Sequence, residues 1–210
     1  VAACAPARVR AGTRALTALL GAAMPAWRRL VAAAGAPELL REDGHVVVWE
    51  SPRTAEEGLA RWRSARIPTV QLHEMSRAEL ERVQALGRRP LAGGLRFEGS
   101  GQVADLAALA TALARAFEAA GGKRVAERAV GLEIEGGRAT AHFARHGRAS
   151  PALLVVACGA ASGELLRTAG IRVPLIAERG YHLRADPGAW PASTPPVVYE
   201  DRSMIVTRYA

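Results

Sequence analysis

The chain has 210 residues, half of them apolar and 23% charged, which suits a packed core and excludes a disordered segment. Its formal charge is +8, yet 27 of its 28 basic residues are arginine and Lys123 is the sole lysine. Such a bias fits GC-rich coding, and the arginines form nothing longer than Arg-Arg pairs with few aromatics among them, which argues against a nucleic-acid surface.

No apolar run approaches the roughly 20 residues of a membrane helix, the longest being 152–157. No basic stretch followed by an apolar one opens the chain, so no secretory leader is expected. Cys4 and Cys158 are too few and too far apart for a disulfide scaffold, which fits a reducing cytoplasm.

In chain order, 6–34 reads as a helix. Leu16, Leu19, Leu20, Met24, Trp27, Leu30 and Val31 recur at three- and four-residue spacing, with a break or kink expected at Pro25 and an end at Gly35 and Pro37. GHVVVWE (44–50) is a short strand. SPRTAEEGLARWRSA (51–65) is a helix, with Thr54 and Glu57 as its capping box. PTVQLH (68–73) is strand-like. SRAELERVQAL (76–86) is a second capped helix, with Ser76 and Glu79 as its box and Gly87 as its stop. AGGLRFEG (92–99) is a short strand. The Ala- and Leu-rich run 103–120 is a helix closed by Gly121-Gly122. Gly136-Gly137 between two alternating runs signals a hairpin. The continuous apolar run 152–157 suits a strand covered on both faces, and 161–169 a helix. Residues 171–209, rich in Pro and β-branched residues, read as sheet.

Two stretches carry candidate chemistry. LLVVACGAASGELL (153–166) reads as a strand ending in small residues, where a ligand can come close, followed by a helix whose N-terminal amides favour anions. The same residues equally suit a strand–turn–helix with no ligand. ERGYHL (178–183) offers Arg179, Tyr181 and His182, or else an edge strand with a surface ion pair. Strand alternation would put Arg179 and Tyr181 on one face and His182 on the other. His142 and His146, four apart, lie around a predicted strand and turn with no nearby carboxylate or thiol expected, so metal binding is not expected. His45 and His73 read as structural strand-end histidines. The chain has no G-x-S-x-G, P-loop or G-x-G-x-x-G.

Taken in order, the Ala/Leu helix, Gly-Gly, Val130-Gly131-Leu132, the hairpin, LLVVACGAAS, RVPLIAERGYHL and PVVYEDRSMIVTRY resemble the FAD-dependent oxidoreductases of the D-amino-acid oxidase superfamily. The bacterial D-amino-acid dehydrogenases are the nearest likeness. The resemblance covers nearly the whole chain and is most specific from Gly101 to Tyr209. It implies a mixed α/β fold: part of a Rossmann-like FAD-binding domain with a β-meander, and part of a substrate domain with a mixed or antiparallel sheet and helices. The implied division is 1–100 and 173–210 in the substrate domain, with 101–172 in the FAD-binding domain.

By the same resemblance, the backbone at Val130 clamps the adenine of FAD. The corner Ala157-Cys158-Gly159 lies near ribose and phosphates, with Cys158 departing from the family's usual small residue. The segment of Arg179, Tyr181 and His182 lies near the flavin and substrate. The implied activity is oxidative deamination of an amino acid, with Cα hydride passing to flavin N5 and electrons going on to a quinone or carrier. A cytoplasmic enzyme, soluble or peripheral to the inner membrane, is implied. Another FAD-dependent amine or hydroxy-acid oxidoreductase of this fold, and a non-catalytic basic binding module, stand as alternatives. The family's glycine-rich loop and its C-terminal flavin-contacting segment have no counterpart, and Val1 is not a start methionine. The sequence is therefore expected to be the middle of a longer protein and, alone, not to hold FAD.

Overall fold

A computed structural model describes residues 5–65, 70–188 and 190–209. The chain divides into two compact units, one running to Gly122 and resuming at Asp186, the other spanning Lys123–Ala185.

The first unit is built on a mixed five-stranded sheet. Its strands are β2 (His45–Trp49), β3 (Gln71–Glu74), β4 (Gly93–Glu98), β9 (Val197–Tyr199) and β10 (Met204–Val206), in the order β10-β9-β2-β4-β3. β2 and β9 run parallel, and the other neighbours are antiparallel. β2 is central and covered on both faces, which is why its sequence is apolar without alternation. Val46 and Val48 join Val83, Leu91, Val197 and Tyr199 on one face; Val47 and Trp49 join Ala55, Leu95 and Phe97 on the other. A two-stranded ribbon, β1 (Leu40–Arg41) with β5 (Gln102–Val103), belongs to the same unit.

Two helices flank the sheet. α2 (Pro52–Ser64) brings Ala55 and Leu59 to the Trp49 face, and α3 (Arg77–Gln84) brings Val83 and Leu80 to the Val46 face. α3 carries the expected box: Ser76 Oγ accepts from the Glu79 amide at 3.3 Å, and the Ser76 amide donates to Glu79 at 2.9 Å. The Ser76 amide and hydroxyl, both donating to the carboxylate, with the Arg96 guanidinium at 3.2 Å, hold the Glu79 carboxyl down at about 2. The α2 cap differs from expectation. Ser51, not Thr54, is the N-cap and accepts from the Thr54 amide at 3.2 Å, because Pro52 suits the first helical position and starts the helix three residues earlier.

α1 (Pro6–Ala33) is one helix, unbroken at Pro25; the proline removes one backbone donor and the bonds on either side carry the helix through. α4 (Leu106–Ala119) is capped by Asp105 and ends before Gly121-Gly122. Of the strand-like 68–73, Pro68 and Thr69 lie outside the described residues, as does Cys4. Cys158 is free and exposed.

The second unit holds a β-meander, β6 (Ala129–Glu135), β7 (Arg138–Phe143) and β8 (Gly147–Ala149). Gly136 and Gly137 both take positive φ (54° and 79°), the backbone that a tight hairpin turn needs. α5 (Ser162–Thr168) lies along β6, where the Thr168 hydroxyl accepts from the Leu132 amide at 2.7 Å. Leu132, Ala141 and Ser162 are buried.

Two expected strand regions are not formed. Residues 152–157 have no ladder partner among the described residues, and Leu153 and Val155 stand 80% and 75% exposed. Residues 171–185 form no ladder among the described residues, and the Leu175 amide turns back onto the Val173 carbonyl at 2.9 Å; Ile176, Tyr181 and Leu183 are exposed. A β-rich composition makes a strand only where a neighbour accepts its hydrogen bonds. No helix among the described residues is long and apolar enough to cross a membrane.

Candidate functional site

Val130 sits second in β6 with its side chain half exposed, next to a register shift between Ala129 and Gly131. Ala157 and Cys158 are exposed and run into a 3-10 turn at Gly159–Ala161. Gly159 holds φ +58°, and a Cβ built on it would meet nothing within 4 Å. The corner therefore has a left-handed backbone beside open space, the combination that lets a ligand approach a main chain. Ser162 does not leave the helix start bare: its buried hydroxyl accepts from the Cys158 amide at 2.9 Å. Arg179, Tyr181 and His182 are all exposed in the unpaired segment, so strand alternation does not sort them onto faces.

The histidines take other roles. Contrary to expectation, His142 and His146 each face a carboxylate. His142 Nε2 lies 3.2 Å from Glu133, and His146 binds Glu127 through ring and backbone. Each carboxylate serves its own histidine, and no group of three metal-ligating side chains exists among the described residues. His45 stacks on Phe97, centroids 4.4 Å apart, and its ring lies 3.1 Å from the Ser100 hydroxyl; burial pushes its pKa down.

A cleft in the first unit, which the sequence did not single out, has more of the character of a site. About 170 Å³ lies between the end of α3 with its loop Gly87-Arg88-Arg89 and the strands β9 and β10, with Trp190 and Glu50 also lining it. The elements explain the arrangement. β9 alternates, so Val197 and Tyr199 share the face that packs on Val46 and Val48. Tyr199 is 6% exposed, yet its hydroxyl has no hydrogen-bond partner among the described residues, and a Cβ on Gly87 would stand 3.7 Å from it. The Trp190 indole N–H is buried and also without a partner. After β9, a 3-10 turn at Glu200–Arg202 brings Arg202 back over the Tyr199 ring, 5.9 Å from its centroid, and onto Glu50 at 3.0 Å. Arg89 approaches Glu50 at 3.8 Å. Asp201 anchors the turn by accepting from the Glu50 amide at 2.6 Å. Burial pushes Asp201 up, but hydrogen bonds from Thr54 and the Glu50 and Ser51 amides bring it net below its ordinary value.

Burial raises the Tyr199 phenol above its ordinary value, against the opposing pull of Arg202. The hydrogen bond to Glu50 raises Arg202. Tyr199 is therefore a neutral donor, and Arg202 a fixed cation, throughout the physiological range. None of the candidate site residues Val130, Ala157, Cys158, Gly159, Arg179, Tyr181 and His182 lines this cleft.

Comparison with known proteins agrees with the fold. A D-amino-acid oxidase from Bradyrhizobium diazoefficiens is 31% identical over 201 residues, 95% of this chain and 47% of that protein. The crystal structure of an iminodiacetate oxidase from a Chelativorans species superposes with a TM-score of 0.67 at 20% identity, over 89% of this chain and 51% of that one. A glycine oxidase from Geobacillus kaustophilus gives 0.58 at 25% identity, over 73% and 42%. The chain thus spans about half the length of the relatives it matches. Residues 2–210 match the family described as FAD dependent oxidoreductase, and the chain belongs to that family.

Proposed function

We propose that the protein carrying this chain is an FAD-dependent enzyme that oxidises the C–N bond of an amino acid, in the manner of a D-amino-acid dehydrogenase. The observation that carries this reading is the family match along residues 2–210. The D-amino-acid oxidase and the glycine oxidase among its relatives support an amino-acid substrate.

The residues present suit one edge of a cofactor site. Gly159 offers left-handed backbone with free space beside it, and Val130 and Ala157-Cys158 stand exposed in the same unit, where ribose and phosphate can approach main chain closely. FAD held there would supply the two-electron oxidation of the substrate's C–N bond, the overall products being a keto acid and ammonia. This chain's own residues bind and orient. Arg179 and Tyr181 offer a guanidinium and a phenol to the substrate carboxylate, and His182 a further hydrogen bond. Within the first unit, separately, Arg202 holds the wall of the Tyr199 cleft against Glu50.

In this reading 1–100 and 173–210 are substrate-domain parts and 101–172 an FAD-domain part, whereas the compact units divide at Gly122/Lys123 and Ala185/Asp186. A cytoplasmic location, with a quinone or carrier as electron acceptor, completes the reading. The test is to purify the full-length protein, record its visible spectrum, and mix it with D- and L-amino acids without oxygen. Bound flavin bleached by D-amino acids supports the reading; a colourless protein, or flavin that no amino acid reduces, defeats it.

A further inference from the structure

The polar lining of the Tyr199 cleft consists almost wholly of donors. Glu50 carries the only carboxylate there, and it is already taken by Arg202 and Arg89. The side-chain carbonyl of Gln84 is used by the Leu91 amide at 3.0 Å, which leaves its NH2 as a donor. Tyr199 adds a hydroxyl with no partner among the described residues, while the equally unpartnered Trp190 indole N–H is sealed from solvent and is not offered to a ligand. Arg88 makes no ion pair or hydrogen bond among them either.

Three guanidiniums therefore face one carboxylate, an excess of two positive charges in a space whose inner wall is buried. A single carboxylate offers roughly four lone-pair positions, fewer than the free N–H and O–H groups around this cleft. Such a lining selects a ligand rich in acceptors and carrying more than one negative charge. The volume, about 170 Å³, holds a short-chain diacid. A second depression of about 360 Å³ shares Gln84, Gly87, Arg88 and Arg89 with it and adds Glu81, whose carboxylate is taken by Arg77.

We propose that this cleft is a dicarboxylate site, and that the amino acid taken by the enzyme carries an acidic side chain. The second half of the statement rests on the amino-acid oxidation reading above; the first does not.

The experiment uses the full-length flavoprotein and two non-reacting probes, succinate and butyrate, which have the same chain length and differ by one carboxylate. Calorimetric titration is expected to give a dissociation constant for succinate at least about tenfold below that for butyrate. The difference should shrink with added salt and vanish in the double variant Arg88→Gln, Arg89→Gln. Both arginines are exposed, so their replacement should leave the fold intact, as circular dichroism checks. Equal binding of the two probes, no binding of either, or a preference kept by the double variant would overturn the site. On the same preparation, anaerobic flavin reduction should be faster with aspartate than with alanine. Reduction by alanine at an equal or greater rate would overturn the substrate assignment. Flavin that no amino acid reduces would defeat the oxidation reading, while the succinate titration would still decide the site.

Discussion

Replacing Tyr199 by Phe separates a binding role from a structural one, because the two predict effects of opposite kind. The ring is buried among Val46, Val48, Val83, Leu91 and Val197, and phenylalanine keeps all of that packing and the approach of Arg202 to the ring face. Only the hydroxyl is lost, and it has no partner among the described residues. The protein therefore gives up no internal hydrogen bond, and because the hydroxyl is not among the buried unpartnered atoms its removal should leave stability within about 0.5 kcal/mol. For a chain of this size that is a change of at most about 2 °C in the melting temperature. An anionic ligand, by contrast, loses a hydrogen bond to a charged acceptor, about 1.5–3 kcal/mol, or roughly 10- to 100-fold in affinity. The assay pairs thermal unfolding with succinate titration, and with KM for the amino acid that reduces the flavin. A variant destabilised by about 2 kcal/mol with ligand affinity unchanged would refute the reasoning, since the hydroxyl would then be serving the fold.

Four further outcomes are expected. Gly58→Ala gains about 1 kcal/mol of helix propensity, but its Cβ would lie 2.4 Å from the fully buried Trp49 ring, and overpacking of about 1–3 kcal/mol outweighs the gain; denaturant unfolding should show a net loss. Gly12→Ala in α1 meets nothing within 4 Å and should stabilise by up to about 1 kcal/mol, so a loss there would count against the propensity argument. The Glu79 carboxyl, held down at about 2, contributes stability that is full above the ordinary carboxylate range and lost as pH falls toward 2; Glu79→Gln should be less stable at neutral pH and show a shallower acid limb, and parallel pH profiles would contradict this. Gly159→Val must place a β-branched residue at φ +58° beside the open corner, and in the full-length protein it should release flavin while circular dichroism is retained; full flavin content would remove the corner from the cofactor site.

Local chemistry was readable from the sequence where it is complete within a few residues. Ser76 and Glu79 satisfy one another across a single turn, Gly136-Gly137 sets a turn by its own backbone freedom, and the β-rich HVVVW forms the expected short strand. The misses need information from elsewhere in the chain. Residues 152–157 and 171–185 have strand composition, but pairing is a property of two segments, and neither has a ladder partner among the described residues. At the start of α2, Ser51 and Thr54 both fit a cap on residue type, and Pro52 decided between them. His142 and His146 meet carboxylates contributed by Glu133 and Glu127, nine and nineteen residues earlier, which no local spacing reveals. The Tyr199 cleft joins Glu50, Arg88, Trp190 and Arg202 across about 150 positions. One signal was available: Val197 and Tyr199 alternate on a short strand, which sets the phenol on the same face as a core valine.

The most direct test of the account is anaerobic mixing of the full-length protein with D-amino acids while the flavin band is followed. The account predicts that the protein is isolated with bound flavin and that D-aspartate bleaches it faster than D-alanine. Bound flavin left oxidised by every amino acid, or a protein purified without flavin and unable to take it up, would contradict the account.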